Sequence, residues 1–318
     1  MYLPRTYPVL LAVLGAVLFG ASAPLSKVLL GQVDPVMLAG LLYLGCGVGL
    51  LVFKFILRAG GTAGDEPLGR KDFPWLAGAV LAGGIAAPIV QMVGLQATPA
   101  ATASLLLNFE CVATTVLAAF LFQEYVGRRI WLAVGLITAA SIVLSFEGTQ
   151  FGLSFGALAI ILACILWGVD NNLTRNISSK DPLSIGIVKG LVAGTFSLGL
   201  ALLLGAHLPA WPVIAAAMLL GSMSYGLSIA LFILAMRNVG AARTSIWMGT
   251  APFAGVIIAF MIFQSVPGMS FIIALPLMAL GALLLFGEEH AHTHIHVHGT
   301  ITHEHMHTHD HGDHHEKE

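Results

Sequence analysis

Ten apolar runs follow one another through this sequence, each close to the ~20 residues a helix needs to cross ~30 Å of hydrocarbon. They fall at about 8–30, 35–57, 73–95, 98–122, 129–147, 153–174, 182–204, 211–235, 241–264 and 269–287. Asp34-Pro35, Thr98-Pro99, Asp181-Pro182 and the Pro209 to Pro212 stretch mark the turns between them. With 57% hydrophobic and 9% charged residues, the chain cannot cover such runs in water, so lipid is the expected solvent. A lipid-exposed backbone must satisfy its own hydrogen bonds, and at this run length that means helices. The expected fold is therefore an all-α integral membrane protein of ten transmembrane helices. The first run continues past signal-peptide length and is expected to remain as a span.

The basic residues give an orientation. Arg5, Lys54, Arg58, Arg70, Lys71, Arg128, Arg129, Arg175, Lys180, Arg237 and Arg243 all fall at one set of alternating span ends. The opposite loops hold essentially none, Lys27 being the nearest exception. By the positive-inside rule both termini are cytoplasmic, in a plasma (bacterial inner) membrane. A net charge of −2 without a basic stripe gives no reason to expect nucleic acid as a partner. Cys46, Cys111 and Cys164 lie inside apolar runs with no paired spacing, as packing residues do.

The chain also repeats itself. Thr98–Glu124 is echoed 141 residues later in Val239–Ser265, where Ala100, Ala101, Ser104, Ala113, Ala118, Phe122 and Gln123 recur as the same residue types. Leu18-Phe19-Gly20 matches Leu166-Trp167-Gly168, and Lys27 matches Arg175, at an offset of 148. The polar loop 58–72 of the first half can absorb the difference. Residues 8–147 and 153–287 then form two five-helix repeats. Because five is odd, the halves insert with opposite orientation, the architecture of alternating-access carriers.

Three segments carry a resemblance: LFGASAPLSK in the first run, TPAATASLLL at the entry to the fourth, and the Phe122-Gln123-Glu124 exit. They resemble the EamA-type transporters of the drug/metabolite transporter superfamily. WGVDNNLTR and LLLNFECV further resemble a bacterial subgroup with histidine-rich C-terminal tails. The resemblance covers roughly residues 8–287 and implies ten helices in two repeats, cytoplasmic termini and a transport function with varied substrates. Two positions depart from the pattern. Pro252 keeps a mid-helix proline in the second half where Glu110-Cys111 stands in the first, and Glu124 is answered by Ser265.

A carboxylate at bilayer depth costs about 2.5–3.5 kcal/mol even on insertion scales, so Glu110 near mid-membrane needs a reason. Asn108 precedes it by two residues; Asp170, Asn171 and Asn172 stand late in the sixth run, and Lys189 in the seventh. Two readings follow. In the first these groups pair structurally, Glu110 with Lys27, or Asp170 with Lys189 or Arg175. Alternatively Glu110 couples transport to protons or binds a cation, with Asn108, Gln91, Asp170, Asn171 and Asn172 lining the path and Lys27 and Lys189 as partners. Tyr225, Trp167, Met92, Met223 and Met248 read as packing, as do Gly83-Gly84 and the Gly45 to Gly47 stretch.

From Glu288 onward the composition changes: 12 of the chain's 13 histidines lie in residues 288–318. His290, His292, His294, His296 and His298 alternate with other residues, as do His303, His305, His307, His309 and His311; His314 and His315 complete the set. The segment has too little apolar surface to fold alone and is expected to be disordered when metal-free. In an extended chain every second side chain shares a side, a row suited to Zn, Ni, Co or Cu ions. No cofactor is expected for the helical part.

The function these features imply is a secondary, alternating-access transporter of a small metabolite or transition-metal ion. Its expected mode is proton-coupled export, with a cytoplasmic metal-binding tail. A metal-responsive membrane sensor or buffer that transports nothing is the alternative. An enzyme is not expected: outside the tail the histidine is His207, and the spans hold no Ser/His or Cys/His constellation.

Overall fold

The computed structural model describes residues 6–59, 66–121, 123, 126–146, 154–239, 244, 247–286, 292–298 and 301–307. Eight of its helical stretches are long and apolar enough to cross a membrane: Pro8–Leu29, Pro35–Leu57, Arg70–Ala97, Ala100–Leu121, Arg128–Ser145, Phe155–Arg175, Pro182–Leu203 and Trp211–Met236. Two shorter apolar helices, Ala251–Phe263 and Met269–Leu285, complete the series. These ten match the apolar runs in number and order, and the protein is a multi-pass helical membrane protein. Residues 240–243 and 245–246 of the ninth run lie outside the described residues. Leu10, Phe55, Leu81, Phe120, Leu203 and Ile257 project outward, exposed, as a lipid-facing surface requires.

Two spans widen for one turn. Val80–Ala86 in the third span and Gly221–Leu227 in the eighth are π-helical: the N–H of Ala87 bonds the carbonyl of Ala82, and that of Ser228 bonds Met223. The two turns stand 141 positions apart, the offset seen in the sequence repeat. In the third span Pro88 supplies a physical cause, because its ring would collide with the Gly84 carbonyl in a regular α-helix.

The fourth span, expected as one helix, is broken. Helices Ala100–Leu106 and Phe109–Leu121 meet at a turn of Leu107-Asn108. The Asn108 amide donates to the Leu105 carbonyl at 3.1 Å, offering the backbone a local alternative to the next helical bond. The ninth span breaks at the matching place: Ala251–Phe263 starts after a turn at Gly249-Thr250, with Thr250 Oγ1 donating to the Trp247 carbonyl at 2.6 Å. Pro252 sits in the first turn, where its missing N–H would be unpaired anyway. At the other end of these spans Gln123 and Gln264 take positive φ values of 53° and 46°, again 141 positions apart. The shared Phe-Gln ending thus includes a shared left-handed stop.

Span packing obeys the same exchange of halves. The second span lies along the seventh, the fifth along the tenth and the fourth against the ninth. The third packs on the sixth as the eighth packs on the first, and the fourth on the sixth as the ninth on the first. Gly20 and Gly168, paired in the sequence repeat, sit at the last two of these crossings. A β-carbon on Gly20 would fall 2.2 Å from the Ala251 carbonyl oxygen, and one on Gly168 2.9 Å from Ala113. Only glycine lets the helices approach this closely.

In the tail, the structure describes residues 292–298 and 301–307. They pair as an antiparallel ribbon, His292–His298 (β1) with Ile301–His307 (β2). Its period-two alternation with Thr, Ile and Val is a strand pattern. Residues 287–291, 299–300 and 308–318, including His290, His309, His311, His314 and His315, lie outside the described residues.

Candidate functional site

The sixth span carries most of the site. Trp167, Asp170, Asn171 and Thr174 recur at the three-to-four-residue spacing of one helix face. Asp170 is buried, and the Lys189 ammonium of the seventh span donates to its Oδ1 at 2.7 Å and also to Oδ2. Thr174 Oγ1 adds a bond to Oδ1 at 2.9 Å. Of the two cations the sequence offered Asp170, Lys189 holds it in an ion pair.

Glu110 is treated differently. It stands in the first turn of Phe109–Leu121, where the helix dipole favours a negative group. Its Oε1 accepts a hydrogen bond from Asn171 Nδ2 at 2.9 Å, and the same amide reaches Thr114 Oγ1 at 3.0 Å. Among the described residues no cationic side chain forms an ion pair with Glu110. The Glu110–Lys27 pair is not formed, because Lys27 Nζ donates to the carbonyls of Leu95 and Gln96 at 2.7 and 2.8 Å. Lys27 therefore caps the C-terminal end of the third span, whose last carbonyls lack helical partners.

The other sequence candidates divide. Asn172 ties the sixth span to the fourth through the carbonyls of Thr114 (3.1 Å) and its own Gly168 (2.8 Å), a structural tie. Asn108 is turned back on Leu105 at the helix break. Gln91 is buried with its Oε1 unpartnered among the described residues, as are the hydroxyls of Ser26, Thr98 and Ser104. Met92 is fully buried packing.

A cleft of about 230 Å³ adjoins the ion pair, lined by Tyr43, Cys46, Thr174, Ile185, Lys189 and Tyr225 and reaching Pro182. Tyr225 stacks edge-on with Phe19 and tilted against Tyr43, each at 5.9 Å between ring centres. Tyr43 Oη and Trp167 Nε1 both donate to the carbonyl of Gly83, at 2.7 and 3.0 Å. Gly83 belongs to the π-turn, so the widened turn makes a backbone acceptor available to the site. Tyr43, Thr114 and Gly83 were not among the sequence candidates, and Tyr225 and Trp167 were read as packing. Their partners lie on other spans, which leaves no local pattern. Among the described residues no three His, Cys, Asp or Glu side chains converge as metal ligands. The side chains of the tail histidines lie outside that description.

A polytopic helical bundle with charged groups and a cleft in its interior has the build of a membrane transporter. The chain belongs to the EamA-like transporter family, which it matches over residues 6–146 and again over 154–287. It is 28% identical over 295 residues to an uncharacterized transporter of Methanothermobacter thermautotrophicus, covering 86% of this chain and 85% of that one. It is 24% identical over 231 residues to the uncharacterized inner membrane transporter YedA of Escherichia coli K12, covering 70% and 72% of the two chains. A crystal structure at 18% identity shares the fold, with a TM-score of 0.63 over 88% of this chain and 96% of its own.

Proposed function

We propose that the protein is a proton-coupled exporter of a small organic solute, working by alternating access between two inverted repeats, residues 8–147 and 153–287. One observation carries this reading: a cleft reaches the buried Lys189–Asp170 pair, and unpartnered buried polar atoms lie deeper in the bundle. The cleft lies in the half near Pro182 and the basic span ends, and reaches the Lys189–Asp170 pair. Glu110 stands at mid-span. Beyond it, toward the charge-poor ends, Ser26, Gln91 and Ser104 hold buried polar atoms without partners among the described residues. Buried polar groups left unpaired cost about 1–3 kcal/mol each, so side chains packed this way are explained if a second state wets them. The positive-inside rule favours a cytoplasmic opening for the cleft, the side from which an exporter loads.

Glu110 is the coupling group in this reading. It is bonded to a neutral amide rather than a cation, so it can take or release a proton without breaking an ion pair. Asp170 is neutralised by Lys189 and suits a fixed element of the site. The aromatic cleft wall of Tyr43 and Tyr225, the latter backed by Phe19, favours an organic solute with an apolar body over a bare metal ion. The test is transport in proteoliposomes under a pH gradient, with a panel of organic solutes beside Zn²⁺, Ni²⁺ and Co²⁺. The expected result is gradient-driven flux of an organic solute that Glu110→Gln uncouples from the gradient. Flux of metal alone would move the substrate to the ions. Metal binding with no flux of any solute would favour the sensor or buffer.

A further inference from the structure

The tail ribbon places histidines by register, a relationship composition does not contain. In the pairing of β1 with β2, His292 stands opposite His307, His294 opposite His305 and His296 opposite His303. Directly opposed residues of an antiparallel pair share a face, with β-carbons about 4.5–5.5 Å apart, and residues two apart along a strand share it too. All six histidines therefore belong to one face, which His298 opposite Ile301 extends. Thr293 opposite Met306, Ile295 opposite Glu304 and Val297 opposite Thr302 make up the other. A shift of one residue would scatter the set across both faces.

We propose that this ribbon is a register-built site for a divalent transition-metal ion of the zinc type, two adjacent cross-strand histidine pairs supplying the four imidazoles of one ion. Four nitrogen donors satisfy the tetrahedral preference of Zn²⁺, and imidazole suits that class of ion. A lone two-stranded hairpin is marginal in water. An ion that bridges the strands stabilises the paired form over the open one, so binding and ribbon formation are one equilibrium. The proposal does not depend on what the transport chamber carries.

The experiment uses the full chain in detergent, with Zn²⁺ as the probe in competition with a chromophoric chelator and Co²⁺ absorbance as a report of coordination. The decisive variant keeps the tail composition and moves two of β2's three histidines to the opposite face, leaving no two adjacent histidine pairs: His303→Glu, Glu304→His, His305→Met and Met306→His together. The expected result is at least one tight Zn²⁺ site in the natural chain and a tenfold or greater loss of affinity in the variant. The tetrahedral Co²⁺ signature should fade with it. A companion variant, His294→Ala with His305→Ala, should lose the same site. Equal affinity and equal stoichiometry in the re-registered chain would overturn the proposal, since composition would then suffice. So would the lack of any Zn²⁺ site tighter than ordinary weak imidazole binding in the natural chain. Bundle unfolding temperature, followed in parallel, shows whether the variants are folded. None of these readouts involves flux, so failure of the transport reading would leave them unchanged.

Discussion

A β-carbon on Gly83 would lie 1.9 Å from Oδ2 of Asp170, so the third span is pressed directly onto the buried carboxylate that Lys189 holds. The contact expels space that a water or a side chain could otherwise take, and it fixes the ion pair beside the cleft. Gly83→Ala should therefore displace Asp170 and destabilise the bundle by about 1–3 kcal/mol, the usual range for overpacking. Gly135→Ala and Gly199→Ala are the controls, since nothing lies within 4 Å of a β-carbon at either position. They should be neutral or slightly stabilising, as alanine is in a helix. Thermal unfolding of the three variants in one detergent tests this. Equal effects would mean that the close approach at Gly83 is not rigid.

Asp170 and Lys189 should act as one unit. Removing either charge alone leaves the other buried and uncompensated, at a cost of about 3–5 kcal/mol. Asp170→Asn and Lys189→Met should each be strongly destabilising, and the double variant should recover much of the loss. A double-mutant cycle on unfolding free energy measures the coupling. Additive single effects would show that the pair is not a unit.

The ten spans were legible because a run of about twenty apolar residues has few other solutions in lipid. The repeat was legible because Ala100, Ser104, Phe122 and Gln123 recur at one fixed offset. The π-turns were not, since a shift of one residue in hydrogen-bond register at Val80–Ala86 changes no composition or period. Asp170 was correctly marked as interior, but its choice of Lys189 depends on how the sixth and seventh spans are rotated. Tyr43 was invisible as a site residue for a similar reason. Its hydroxyl finds a backbone carbonyl, Gly83, on a span 40 residues away.

At the basic ends, Lys54 pairs with Asp181, which also accepts from Ser184 and from the Leu183 N–H. Burial acts to raise the Asp181 carboxyl, but the Lys54 ammonium and these hydrogen bonds outweigh it and hold it below its ordinary value. A lowered folded value means that the stabilisation is present above the unfolded value of about 3.9 and is lost as pH falls through the folded one. Asp181→Asn should thus cost stability at neutral pH. The gap from the natural chain should close below about pH 4. A pH series of unfolding midpoints checks the sign; a gap that widens on acidification would contradict the assignment.

Gln264 ends the ninth span with φ 46°, and Gln123 stands at the matching place with φ 53°. A left-handed backbone carries a steric cost for any residue with a β-carbon, and glycine removes it. Neither glutamine side chain is buried, and Gln264 is exposed beyond the last helical turn, so little packing opposes the change. Gln264→Gly should stabilise the bundle by up to about 1 kcal/mol, the glycine loss of unfolded-state restriction taking back part of the gain. Gln264→Val should destabilise it, because a β-branched residue tolerates this conformation least. The same pair of substitutions at Gln123 should give the same two signs, since the stop is repeated. Unfolding midpoints of the four variants decide the point. Opposite signs at the two positions would mean that the halves share the Phe-Gln ending without sharing the conformation it encodes.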